Sequence, residues 1–191
     1  MGGSSTSREA ILAAARRAIV ERGPGKLTLS SIAASAGVSR PTLYRWYPTK
    51  DVLLAAIAVY EEEQFDRGLR AAIDARRAPA RRLDAALHYL VTYLDDVLGP
   101  DPIGAEPRFA LASLERSLPV QRRALVRYLG DAFDQVPAVR GGELSNEQAA
   151  ELFLRLTYSH YLIPHPEPEM LLANLRSFAG LPRRSPIGAT G

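Results

Sequence analysis

The chain has 191 residues, 47% of them apolar, with a formal net charge of +3 and no cysteine. That length suits one full domain or a small domain joined to a larger one, with enough apolar mass for a core. The longest uninterrupted apolar run, residues 52–60, is too short to span a bilayer and the start reads as no secretory signal, while the lack of cysteine excludes disulfide, thiolate-zinc and cysteine-nucleophile chemistry.

Residues 1–5 are Gly/Ser-rich and are expected to form a disordered leader. Thr6 and Glu9 then have capping-box spacing, and Ile11, Ala14, Ala15, Ala18 and Ile19 follow on one helical face until Gly23-Pro24-Gly25 stops the pattern. Two short helices are expected over 29–36 and 40–46, divided at Gly37. A long helix begins after Thr49 with Ile57, Phe65, Leu69 and Ile73 on one face, and Pro79 ends it. Beyond it, Leu83, Leu87, Leu90, Val91, Leu94 and Leu98 make a further stripe, closed by Gly99-Pro100.

The spacing then predicts helices over 106–117 and 119–136, separated at Pro119, with a loop over 137–142. Ser145 and Gln148 form a second capping box, opening a helix to about Ile163; a last helix covers about 167–180 and a flexible tail 181–191. No stretch sustains period-two alternation, so the fold class is all-α.

Charge is unevenly spread along this chain. Residues 1–50 hold eight Lys or Arg against two Glu, a balance of +6 that leaves −3 for residues 51–191. A basic head on an acidic body points to a polyanion as the partner of the head.

The head also carries the most informative segment, residues 28–47. Thr28 can cap the first short helix, Ala33 is small enough for a close helix crossing, and Gly37 falls where a tight turn needs positive φ. Ser39 can cap the second helix, and Pro41 is tolerated in its first turn because no N–H partner is lost there. This is the pattern of a helix-turn-helix, whose second helix lays its first residues in the major groove. Arg40 and Thr42 stand at the front of that helix, with Tyr44, Arg45 and Trp46 just behind. Arg can read guanine bidentately, the carbons of Thr42 and Pro41 can meet a thymine methyl, and Tyr44 suits a phosphate. Lys50 stands at the start of the next helix, where an anion is favoured.

The stretch from about Arg8 to Tyr60 resembles the N-terminal DNA-binding domain of the tetracycline-repressor (TetR/AcrR) family of transcriptional regulators. The residues that carry the resemblance are Ile32-Ala33, Gly37-Val38-Ser39, Thr42-Leu43-Tyr44, and Lys50 followed by Leu53. Trp46-Tyr47 stands where many members carry His-Phe. The resemblance implies a homodimer on a palindromic operator, with a C-terminal helical domain that holds an inducing ligand. The expected division is a helix-turn-helix domain over 6–49 and a regulatory and dimerisation domain over 50–180. The expected activity is that of a ligand-responsive repressor in the bacterial cytoplasm, on the nucleoid when bound to operator, with no membrane partner.

In the body, Leu152, Phe153, Leu156, Leu171, Leu175 and Phe178 are the candidate dimer residues, because a helix apolar on nearly all faces must be covered on all of them. His88, Tyr93, Phe109, Tyr128, Tyr158 and His160 are candidate pocket residues for a small, largely apolar effector, being aromatic or polar groups beside apolar stripes. His160 and His165 are interrupted by Pro164 and lack a third ligand, so no metal is expected, and no cofactor is implied. Two other classes are less well supported. An architectural DNA-binding protein, or a regulator without an effector, leaves a ligand-sized body unexplained. A helical-bundle enzyme lacks any catalytic constellation in sequence.

Overall fold

A computed structural model of the chain describes residues 2–98, 106–163, 167 and 169–182. The chain forms helices α1 (Gly2–Arg22), α2 (Leu29–Ser35), α3 (Arg40–Trp46), α4 (Lys50–Asp74) and α5 (Pro79–Leu98). It continues as α6 (Pro107–Leu129), α7 (Pro137–Arg140), α8 (Asn146–Leu162) and α9 (Glu169–Phe178). Tight 3₁₀ turns occupy Pro24–Lys26 and Gly130–Gln135, and no strand occurs among the described residues. The all-α expectation holds because apolar side chains recur at helical spacing from Ile11 to Leu175, so each helix has a face to bury.

The described residues form two compact units. One gathers residues up to Gln64 with Asp95–Glu115, and the other gathers Phe65–Leu94 with the chain from Arg116 onward, so the division falls inside α4, α5 and α6. In the first unit, Ile11, Ala14, Ala15 and Ala18 of α1 close on Ile32 and Ala33 of α2 and Leu43 of α3. Tyr47, Leu53 and Ile57 complete that core. The second unit buries Phe65 and Leu69 of α4, Leu83 and Leu87 of α5, Leu125 of α6 and Phe153 of α8.

Several boundaries differ from those the sequence predicts. α1 begins at Gly2, so the expected leader 1–5 is helical from residue 2 and Thr6 lies within the helix rather than at its cap. Once the turns carrying Ile11 and Ala14 are held by packing, extending a helix toward its N-terminus adds a backbone bond per residue without a new nucleation cost. Pro119 lies inside α6 instead of splitting it. A proline there removes one bond to the Glu115 carbonyl, but Glu115 and Pro119 are both exposed and water can serve that carbonyl. Burial of Leu114 on one side of it and Leu125 on the other keeps the helix continuous.

The α-helix ends at Leu129 rather than 136, since Gly130 takes a positive φ of 45° and the chain tightens into the 3₁₀ turn. The expected loop over 137–142 opens with the short helix α7, which Pro137 starts with its φ already set. The second capping box is present as read: Ser145 Oγ accepts from the Gln148 N–H at 3.2 Å, and Gln148 Oε1 accepts from the Ser145 N–H at 2.8 Å. The expected flexible tail begins too early at 181. Leu181 is buried, and its N–H reaches the Arg176 carbonyl at 2.9 Å to close a Schellman-type end around Gly180. Residues 183–191 lie outside the described residues, as does His165.

Candidate nucleic-acid interface

The α2–turn–α3 segment is shaped by contacts made within a few residues. Thr28 Oγ1 accepts from the Ser31 N–H at 3.2 Å and fixes the start of α2. Ser39 Oγ accepts from the Thr42 N–H at 3.3 Å and lies 2.8 Å from Thr42 Oγ1, which fixes the start of α3. Between them Gly37 adopts φ +66°, with open space where a Cβ would be, so the turn requires the glycine for its backbone angle alone. With Leu43 and Tyr47 fully buried, the opposite side of α3 faces solvent. Arg40, Pro41, Tyr44 and Arg45 are exposed there, and Thr42 is half-buried.

The other expected contact residues have intramolecular partners. Trp46 is half-buried against the first unit's core, with the Arg8 guanidinium 5.2 Å and the Arg45 guanidinium 5.8 Å from its ring centroid. Such stacking positions both cations at the edge of α3. Lys50 Nζ donates to the Gly25 carbonyl at 3.3 Å, while Thr49 Oγ1 accepts from the Val52 N–H at 3.2 Å to cap α4. Arg16, counted in the basic head, pairs with Glu61 at 2.7 Å and donates to the Asp96 carbonyl at 3.0 Å. Part of the head's positive charge is therefore structural.

One contact has no local signal in the sequence. The Gly25 N–H donates to Glu106 Oε1, across 81 positions of chain. A Cβ at Gly25 would stand 2.5 Å from that oxygen, so only glycine allows the carboxylate so close. Together with Lys50 it holds the Gly23–Pro24–Gly25 turn from both backbone poles.

In the second unit the candidate pocket residues separate. Tyr93 is buried edge-on to Phe65, ring centroids 5.0 Å apart. The Tyr128 hydroxyl donates to the Asp66 carboxylate at 2.8 Å. The Tyr158 hydroxyl donates to Gln121 Oε1 at 2.9 Å, and burial pushes that phenol above the ordinary tyrosine value. His160 is half-buried on α8, and Phe109 is half-buried in the first unit. Of the six, His88 alone lines the open cleft of the second unit, beside Tyr89 and Thr92. The candidate dimer residues divide in the same way. Leu152, Leu156 and Phe178 are 37%, 43% and 37% exposed, whereas Phe153, Leu171 and Leu175 are buried within the protomer. Ile163 adds a further exposed apolar side chain at 78%.

The sequence model of the family described as bacterial regulatory proteins, tetR family, matches residues 11–57, which hold the whole capped helix pair. An uncharacterized HTH-type transcriptional regulator of Mycobacterium bovis is 32% identical over 132 residues, covering 64% of this chain and 70% of the relative. A second, from Mycobacterium tuberculosis, is 36% identical over 73 residues, 38% of this chain; the match spans just 36% of that relative's length. The fold is shared with a solved bacterial regulatory protein of the tetR family from Rhodococcus, at 21% identity and TM-score 0.55, covering 91% of this chain and 94% of that one. It is shared too with AibR in complex with isovaleryl coenzyme A and operator DNA, at 19% identity and TM-score 0.54, covering 92% and 99%. The family match, which spans the capped helix pair around a left-handed glycine, and the Mycobacterium bovis relative covered over 70% of its length together show that the chain belongs to the tetR family of bacterial regulatory proteins.

Proposed function

We propose that the protein is a repressor that binds a two-fold symmetric operator as a homodimer and leaves it when a small molecule occupies its helical body. The observation that carries this reading is the exposure of Arg40 and Tyr44 on α3 while Leu43 of the same helix and Tyr47 at its C-cap are buried. A short helix anchored on one side and capped by Ser39 offers its front to the major groove, where Arg40 can reach a guanine edge and Tyr44 a phosphate. Pro41, Thr42 and Arg45 flank them. Thr28, Ser39, Trp46 and Lys50 act mainly by holding the two helices and the α4 start in place.

Dimer formation is supported by the exposed Leu152, Leu156 and Ile163 on and just past α8 and by Phe178 on α9, apolar surface that a partner copy would cover. The effector is supported by the cleft of the second unit, and by AibR, a protein of the same fold solved with an acyl-coenzyme A and DNA together. The protein then works in the bacterial cytoplasm, on the nucleoid while bound to its operator, with residues 6–49 as the reading head and 50–180 as the sensor and dimer body.

Footprinting and salt-dependent titration on the operator test this reading. Arg40→Ala is expected to cost about 1–3 kcal/mol and to relax base preference at one position per half-site. Tyr44→Phe should weaken all sequences alike, because a phosphate contact carries no base information. An asymmetric footprint, or affinity indifferent to ionic strength, would contradict the proposal.

A further inference from the structure

The second unit carries an open cleft of about 880 Å³ lined by the end of α4, the residues just after it, the stretch of α5 from Arg81 to Thr92, and Arg176 of α9. It exists because the residues that line it are small: Ala71 and Ala72 at the end of α4, Ala75 just past it, and Ala85 on α5. Its aromatic wall, Tyr89, is fixed. A Cβ on Gly68 would lie 2.3 Å from the Tyr89 hydroxyl and 2.7 Å from its ring, so the ring sits where only glycine leaves room, and the hydroxyl donates to the Phe65 carbonyl at 3.2 Å.

The charges lining this cleft do not cancel. Three guanidinium groups, Arg76, Arg81 and Arg176, face one carboxylate, Asp84. Arg176 grips Asp84 with both Nε and a terminal nitrogen, so the one carboxylate of the lining is already engaged by a cation. Arg76 and Arg81 form no ion pair among the described residues, and His88 beside them is exposed. Thr92 adds no free donor, since its hydroxyl turns to the His88 and Tyr89 carbonyls of its own helix, each at 3.2 Å. A second observation points the same way. The first turn of α5 holds no acidic residue, and Arg81 lies there against the positive end of the helix dipole. Its neighbour Arg82 is neutralised by Asp131, whereas Arg81 is left to the cleft.

We propose that this cleft binds a small organic oxyanion, its carboxylate or phosphate held by Arg76 and Arg81 and its short apolar body laid on Ala72, Ala75 and Ala85. Guanidinium forks match the geometry of both oxyanions, and a concave, partly apolar wall strengthens the field they focus. The effect of such a ligand on the operator rests on the effector reading above; the binding itself does not. The effector is then an amphiphile with a charged head, in place of the largely apolar molecule expected from the sequence.

The test is calorimetric titration of octanoate, octyl phosphate and the neutral 1-octanol into the full chain. Saturable binding of at least one anion is expected, with octanol weaker by about tenfold or more. The relative affinity of octanoate and octyl phosphate decides which oxyanion the site prefers. Arg76→Gln/Arg81→Gln should weaken anion binding by about tenfold or more while leaving the thermal melt of the unliganded protein in place. Ala75→Leu, which fills the cleft and keeps both arginines, should weaken it as well. No saturable anion binding up to about 10 mM, equal binding of octanol, or indifference to the arginine pair overturns the proposal. Operator affinity measured on the same samples separates the two readings. Anion binding that leaves the operator complex unchanged keeps the site and removes its effector role. Operator release by a ligand that still acts on the arginine variant keeps the effector role and removes this site.

Discussion

Tyr158 lies on α8 among residues that the sequence offers as a ligand pocket, yet the structure makes it a buried hydrogen-bond donor. It is 7% exposed, its acceptor Gln121 is 5% exposed, and the two meet at 2.9 Å. Tyr158→Phe keeps the ring and its packing and removes only the donor, leaving a buried amide oxygen without its phenol partner. That loss is expected to cost about 1–3 kcal/mol, and Gln121→Met, which strands the phenol instead, about the same. The double variant replaces both polar groups with apolar ones of similar shape, so it should lie about 1–2 kcal/mol short of the summed single losses. Urea unfolding followed by circular dichroism, at unchanged m-value, measures all three, and each kcal/mol corresponds to a melting shift of about 2–4 °C.

The pH dependence of that cycle has a definite sign. Burial raises the folded-state phenol above the ordinary value of 10.0, so its stabilisation is fully present below pH 10.0 and declines as pH rises further. The gap between wild type and Tyr158→Phe should therefore be flat through neutrality and narrow in alkali. Strict additivity in the cycle would refute the pair as a coupled unit. A Tyr158→Phe protein of undiminished stability but altered effector affinity would return the residue to a pocket.

Tyr47→Phe should stabilise the protein by about 1–2 kcal/mol in the same unfolding assay, because the buried Tyr47 hydroxyl has no hydrogen-bond partner among the described residues. Gly37→Ala should destabilise the first unit by about 1–2 kcal/mol through the left-handed backbone alone, and Gly37→Asn by less, since asparagine tolerates that region; equal melting temperatures for the two would argue against it. Glu151 is held below the ordinary carboxylate value of 4.5 by hydrogen bonds from Arg155 and then Arg122. Its contribution is present above pH 4.5 and lost as pH falls through the lowered folded value, so Glu151→Gln should be less stable than wild type at neutral pH and converge with it in acid.

The sequence by itself determined whatever is settled over three or four residues. The caps at Thr28, Ser39 and Ser145 and the left-handed turn at Gly37 are local bargains between a side chain or a missing Cβ and the nearest backbone, and each is present where the spacing predicts it. Helical periodicity likewise fixed the class of the fold, because a repeating apolar face leaves few ways to be buried. Only the tertiary structure decided where packing overrides a local signal, as at Pro119, where burial of flanking residues carries α6 through a helix breaker. It also decided which tyrosines became core and which surface stayed open. Partners such as Glu106 for Gly25, Asp66 for Tyr128 and Asp84 for Arg176 stand 62 to 92 positions apart in the chain. No periodicity encodes such pairs, since they depend on how whole helices cross, and the crossing is set by the sum of many small contacts rather than by any one residue.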